Sequence, residues 1–140
     1  KFIVYRPDLI DQSVAKIDIT KMIKKSFEIL INVSKQCGNN FIPSVVESDS
    51  LEEAIIMEKN TSDIYAFDTE ASEYFDQDEL KENSHITIIT GPESGFSDEE
   101  LKLMQTHNIK ERYLGQNILR AETAPIFISS LIKNHFGKIS

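Results

Sequence analysis

Hydrophobic and polar positions follow two rhythms along the 140 residues: short apolar runs of strand type, and longer segments whose apolar residues recur at helical spacing. Phe2–Tyr5 is a short apolar run, and the polar stretch Arg6–Asp18, with Pro7 and no clear period, reads as a loop. Thr20 is placed to cap a helix on which Ile23, Phe27, Leu30, Ile31 and Ser34 share a face, and Gly38, Asn39 and Asn40 end it. Phe41–Val46 reads as a strand broken by Pro43. Ser50-Leu51-Glu52-Glu53 is a capping box that opens a helix of about nine residues. Ile64–Phe67 and His85–Thr90 read as buried strands, with an acidic loop through Glu82 between them that holds at most a short helix. The glycine loop Gly91-Pro92-Glu93-Ser94-Gly95-Phe96 follows at once. A second capping box, Ser97-Asp98-Glu99-Glu100, then starts a helix to about His107. Glu111–Leu114 is a further strand, Gly115–Leu119 a loop, and a last helix runs from about Glu122 to Phe136 with Ile128, Leu131, Ile132 and His135 on one face. Strands alternating with helices, with no internal repeat, predict one α/β layered domain over residues 1–140.

Charge is distributed unevenly. Residues 1–50 carry 7 basic and 6 acidic groups, residues 51–100 carry 2 and 15, and residues 101–140 carry 6 and 2, for a formal net charge of -8. Phosphate attraction comes from Lys and Arg, so a nucleic-acid partner is expected to avoid the acidic middle, which reads as a solvated face. Hydrophobic residues make up 40% of the chain, enough for a core without a metal or disulfide. Cys37 is alone, which excludes an internal disulfide; read as a buried-type thiol, with packing rather than nucleophilic attack as its role, it points to a reducing, cytoplasmic setting. The longest apolar runs, such as Ile86–Ile89, are too short to span a bilayer, so no membrane partner is expected. His85, His107 and His135 are too scattered for a metal cluster, and the acidic run Asp76–Glu82 lacks the spacing of a calcium loop.

Two segments carry chemical content. The glycines at 91 and 95 let backbone approach a ligand, and the helix start at Ser97 offers N–H groups that favour an anion, although the spacing matches neither a dinucleotide fingerprint nor a P-loop. In the second segment, Leu114 to Pro125, apolar Ile118 and Leu119 in a loop need something to cover, beside Arg120 and Glu122. A βα turn and a salt-bridged helix start are the bland readings of the two.

Taken together, Thr90-Gly91-Pro92-Glu93-Ser94-Gly95-Phe96-Ser97 and Leu114-Gly115 with Ile118-Leu119-Arg120-Ala121-Glu122-Thr123-Ala124 resemble the RsmE family, which methylates N3 of a uridine in 16S ribosomal RNA. Its pattern is G-P-E-G-G-F-S followed by L-G-x-R-I-L-R-T-E-T-A. Ser34-Lys35-Gln36-Cys37-Gly38-Asn39 and Phe41-Ile42-Pro43 are similar to upstream family segments, so the resemblance covers about residues 13–137. It implies a SPOUT-type methyltransferase fold with a C-terminal trefoil knot, S-adenosylmethionine as cofactor, and 16S ribosomal RNA or the small ribosomal subunit as partner. It also implies a homodimer using the last helix, whose apolar residues suit a dimer or a deep core equally. An N-terminal PUA-like RNA-binding domain of the family has no counterpart before Lys1.

By the same resemblance the cofactor pocket is formed by Phe67, Asp68, Thr90, Gly91, Pro92, Glu93, Gly95, Leu114, Gly115, Ile118, Leu119 and Ala121. Arg120 is the candidate to stabilise negative charge on the uracil or hold a phosphate. Glu122 is either a proton acceptor or a carboxylate stabilising the helix N-terminus. Ser94, Asn117 and Ala121 depart from the family pattern, and Ser94 places a Cβ where φ > 0 is a possible requirement. The rival readings are another SPOUT RNA methyltransferase, such as a ribose 2′-O enzyme whose Asn-x-x-Gly-x-x-x-Arg motif has no counterpart here, and a non-catalytic knotted RNA- or cofactor-binding protein, against which Arg120 and Glu122 argue.

Overall fold

The computed structural model describes residues 1–10, 12–82 and 84–137, with Ser13 and Val14 described by their backbone alone. The elements are β1 (Phe2–Tyr5), α1 (Gln12–Ala15), α2 (Ile19–Cys37), β2 (Val45–Ser48), α3 (Leu51–Glu58), β3 (Asp63–Phe67), a 3-10 turn (Gln77–Glu79), β4 (Ile86–Thr90), α4 (Asp98–Thr106), β5 (Lys110–Arg112) and α5 (Ala124–His135). Every ladder is parallel. β1 pairs with β2, Phe2 opposite Val45. β3 lies between β4 and β5, with Asp63 opposite Ile86 and Tyr65 opposite Lys110.

A parallel strand covered on both faces must be apolar at successive positions, and β3 is: Ile64 to Phe67 are all buried. Its side chains alternate between two cores. Ile64 and Ala66 meet Leu51 and Ile55 of α3, Met104 of α4, and Ile89 and Phe96. Tyr65 and Phe67 meet Phe75, Leu80 and Ile128 of α5. On that second face Phe75 stands edge-on to both aromatic rings, at centroid distances of 5.7 Å and 5.1 Å. Helices therefore cover both faces of the three-stranded sheet.

Local chemistry explains where the elements differ from the sequence reading. The stretch Arg6–Asp18 holds the short helix α1, and Asp11 within it lies outside the described residues. Asp18, not Thr20, caps α2: its carboxylate accepts from the Lys21 amide at 3.2 Å, so the helix starts earlier and Thr20 falls inside the first turn. Gly38 ends it with φ 67°, as the Asn39 amide reaches the Ser34 carbonyl at 2.9 Å. Phe27, placed on the buried face, is 45% exposed. Cys37 is also exposed, which removes its packing role. β2 begins only at Val45, because Pro43 lacks an amide and pairing starts where Ser44 accepts from Phe2, at 2.8 Å; Phe41 is left exposed.

β5 ends at Arg112, because Tyr113 switches partners and pairs with the acidic loop: its amide reaches Glu73 and its carbonyl accepts from Phe75, each at 2.9 Å. That loop is not purely a solvated face, since Phe75 and Leu80 anchor it in the core. α5 starts at Ala124 rather than Glu122, because the Arg120 carbonyl closes a turn by accepting from Thr123 at 2.9 Å and Ala124 at 3.0 Å, and Pro125 enters the first helical turn, where a missing amide costs nothing. No described helix is long and apolar enough to cross a membrane.

Candidate functional site

β3, β4 and β5 end side by side at Phe67, Thr90 and Arg112, and the chain leaves each end as a loop. Between these loops lies a cavity of about 660 Å³. Ligands of parallel α/β sheets bind beyond the carboxyl ends of the strands, in cavities of roughly 300–1,000 Å³. Phe67 and Asp68 reach it from β3; Thr90, Gly91, Pro92, Glu93 and Gly95 reach it from β4; Leu114, Gly115, Ile118, Leu119, Arg120 and Ala121 reach it from the loop after β5. The structure thus brings all these residues to one wall, although the two loops are far apart in sequence. Glu122 is exposed and lies outside the lining, in the turn that precedes α5.

The glycine loop is shaped by two different requirements. A Cβ on Gly91 would sit 3.2 Å from the ring of Phe96, a buried side chain with little room to yield. Gly95 has φ 78° and its amide closes a turn onto the Pro92 carbonyl at 2.9 Å. The positive φ therefore falls on Gly95 and not on Ser94, so the Ser94 Cβ is accommodated. Its hydroxyl donates to the Leu9 carbonyl at 2.5 Å.

Among the described residues, that bond is one of three polar ties between the loop after β1 and the segment from Ser94 to Glu100. Ser97 Oγ donates to Asp8 Oδ2 at 2.6 Å, and the Asp8 amide donates to Glu100 Oε1 at 2.9 Å. Ser97 caps α4 as expected, accepting from the Glu100 amide at 3.1 Å, but the Glu100 carboxylate reaches across to Asp8 instead of back to Ser97. Burial above all, and then the carboxylates of Glu100 and Asp8, push the Tyr5 hydroxyl far above its ordinary pKa. Asp98, Glu99 and Glu100 occupy the first turn of α4. Their charge already satisfies the positive helix end, which argues against an anion there.

Sequence reasoning missed Arg112. Its guanidinium makes a bidentate pair with Glu79, at 3.0 Å from Nε and 2.8 Å from Nη2, and a further ion pair with Glu73 at 3.2 Å. The bond to Glu79 is the main cause that holds it protonated more firmly than an ordinary Arg. Arg112 also lines the cavity, so the acidic loop is clamped against the site. The 2 basic groups against 15 acidic ones in residues 51–100 were the available signal that this loop needs a cation from elsewhere. On the neighbouring Glu111, burial first and Asp68 second raise the carboxyl above its usual range.

A cavity at the carboxyl ends of parallel strands, walled by two glycine-containing loops, defines an α/β ligand-binding domain. The chain belongs to the RNA methyltransferase domain family, whose model matches residues 6–133. It is 60% identical over 45 residues, 31% of this chain and 18% of the relative, to ribosomal RNA small subunit methyltransferase E of Rickettsia conorii. To the protein of the same name from Mesomycoplasma hyopneumoniae it is 28% identical over 113 residues, 79% of this chain and 48% of the relative. The resemblance read from residues 90–97 and 114–124 is borne out at the level of the family. Among solved structures, a methyltransferase from Legionella pneumophila in complex with the bound cofactor SAM superposes with a TM-score of 0.78 at 30% identity, covering 93% of this chain and 53% of that one. Ribosomal RNA small subunit methyltransferase E from Neisseria gonorrhoeae, bound to S-adenosyl methionine, superposes at 0.74 with 20% identity, over 94% and 52% of the two chains, a likeness of fold. The chain spans at most about half the length of these relatives.

Proposed function

We propose that this chain is the cofactor-binding, catalytic part of an S-adenosylmethionine-dependent methyltransferase acting on N3 of a uridine in 16S ribosomal RNA. The observation that carries this reading is the convergence of residues 90–95 with 114, 115 and 117–121 on one cavity beyond β3, β4 and β5. The residues present fit that cofactor. Asp68, Glu70, Glu93 and Asp98 on the wall suit a ligand bearing sulfonium and ammonium charge, since Arg112 is already neutralised by Glu79. Gly91 leaves room for the Phe96 ring beneath the loop and Gly95 supplies its positive φ, and Leu114, Ile118 and Leu119 provide apolar cover for a planar ring. Phe67, Asp68, Thr90, Pro92, Gly115 and Ala121 complete the set that would hold it.

When bound, S-adenosylmethionine supplies a methyl group on a positively charged sulfur. The protein's contribution is orientation and charge. Uracil N3 becomes a good nucleophile only after losing its proton, which leaves negative charge on the ring, and Arg120 is assigned to stabilise that charge. It is exposed, lines the cavity and forms no ion pair among the described residues. Glu122, in the same turn but off the wall, is the weaker assignment as proton acceptor.

The same reading includes a trefoil knot formed by the segment after β5, a homodimer in the cytoplasm and the assembled small subunit or its RNA as substrate. Ile126 and Phe127 support the dimer, being 69% and 44% exposed on α5 beside the buried Ile128. The test is transfer of labelled methyl groups to unmodified small subunits, with the product nucleoside identified by mass spectrometry. 3-Methyluridine is the expected product. A 2′-O-methyl product moves the assignment to a ribose enzyme, and cofactor binding without transfer moves it to the non-catalytic reading.

A further inference from the structure

The cavity wall is acidic, with Asp68, Glu70, Glu93 and Asp98 on it and Arg112 already neutralised, so a polyanion that reaches Arg120 must be drawn in by charge from elsewhere. One segment supplies it. Of the chain's 15 basic residues, Lys16, Lys21, Lys24, Lys25 and Lys35 fall within residues 16–35, against Asp18 and Glu28, and Asp18 is occupied as the cap of α2. Positions 21, 24, 25, 28, 32 and 35 have the spacing of a single helix face, and all six residues there are exposed. Ile23, Leu30 and the buried Ser34 lie on the opposite side, and the helix packs on β2.

These lysines stand where a helix does not favour them. Lys21 lies in the first turn of α2, at the positive end of the helix dipole and with no acidic residue in that turn, and it neighbours Lys24 and Lys25 at i+3 and i+4. Lys21, Lys24, Lys25 and Lys35 make no ion pair among the described residues. A bound polyanion would relieve both repulsions.

Topology brings this face to the site. β1 and β2 are parallel, so α2, in the connection between them, runs back against the strands and starts at their carboxyl ends. The cavity lies at the same end, because Asp8 and Leu9 in the loop after β1 are tied to Ser97 and Ser94. In that loop the Arg6 guanidinium donates to the carbonyls of Ala15 and Ile17, on either side of Lys16, at 2.7 Å and 3.1 Å. The lysine face then leads away from the cavity end for roughly 21 Å, at about 1.5 Å per residue, from Lys21 to Lys35.

We infer that this face of α2 is a track for the phosphate backbone of the RNA whose uridine enters the cavity. Contacts of this kind position a nucleic acid without reading its sequence. That the polyanion is RNA rests on the methyltransferase assignment, whereas the track itself rests on where the lysines stand.

The probe is a fluorescein-labelled oligouridine of about twenty nucleotides, titrated by anisotropy between about 50 and 200 mM salt. Lys21→Gln, Lys24→Gln and Lys25→Gln combined should weaken binding by about tenfold or more at the lower salt. They should also reduce the slope of log affinity against log salt by about 2, since each phosphate contact on a single strand contributes about 0.7. Lys59→Gln, Lys81→Gln and Lys102→Gln combined remove the same charge from exposed positions elsewhere and should leave the slope nearly unchanged. Circular dichroism establishes that both variants are folded, and calorimetry with S-adenosylmethionine, expected to be equal in all three chains, tests the cofactor site separately. Equal slopes in the two variants, or no salt-dependent binding by the parent, overturns the inference and leaves the functional assignment standing. So does binding of the parent to anionic phospholipid vesicles that is tighter than to the RNA and is lost in the α2 variant, because the face would then meet a membrane surface.

Discussion

Arg112 and Arg120 both place a guanidinium on the wall of the same cavity, yet their surroundings give them different roles. Arg112 is spent on Glu79 and Glu73, while Arg120 is exposed and has no carboxylate partner among the described residues. Arg120→Ala should therefore leave cofactor affinity within about threefold but lower methyl transfer by about a hundredfold or more, the scale on which a group stabilising transition-state charge acts. Transfer at the parental rate would show that another group holds the developing charge. Glu111 gives a stability prediction whose sign follows from its environment. Its carboxyl is raised above the ordinary value of 4.5 by burial and Asp68, so its contribution to folding is full below that value and is lost as pH rises through the raised one. Glu111→Gln should raise the melting temperature at pH 7 and leave it little changed at pH 4, as thermal unfolding at the two pH values will read. Legibility at this scale was uneven. Gly91, Gly95 and Arg120 are conspicuous in the sequence, whereas Arg112 is not, because its bidentate partner lies 33 residues away in a loop with no period.

At the scale of elements, strand interiors were legible because β3 is covered on both faces and reads as an unbroken apolar run from Ile64 to Phe67, and β4 is interrupted only by Thr87 before Thr90. Their ends were legible too, where Asp68 and Gly91 interrupt those runs, and this fixed the cavity's position. Helix starts were less so. Asp18 and Thr20 both offer a capping oxygen, and only the structure shows that Asp18 accepts from Lys21. The acidic loop shows the limit most clearly: its charge suggested a solvated segment, while Phe75, Leu80 and the Arg112–Glu79 pair fasten it to β3 and β5. Arg112→Gln should cost about 2–3 kcal/mol of stability, below the roughly 3–5 kcal/mol of a fully buried pair because Glu79 keeps 26% of its surface in water. It should also weaken cofactor binding by loosening the Asp68–Glu70 rim. Glu79→Gln, which keeps one acceptor for the guanidinium, should have the smaller effect in both denaturant unfolding and calorimetry.

For the whole molecule, the alternation of strands and helices foretold a layered α/β domain, but not its division into a two-stranded and a three-stranded sheet. That division depends on which strands pair, and no local pattern encodes it. The placement of the site is more robust. It depends only on β3, β4 and β5 ending together, so the account requires this chain to bind the cofactor by itself. Titration calorimetry of the 140-residue chain with S-adenosylmethionine tests that requirement, using Gly95→Arg as a comparison whose side chain enters the cavity and whose backbone must hold φ 78°. The account predicts saturable binding at one site per chain and its loss in the variant. A chain with native circular dichroism that gives no saturable heat, or a variant that binds as well as the parent, contradicts it.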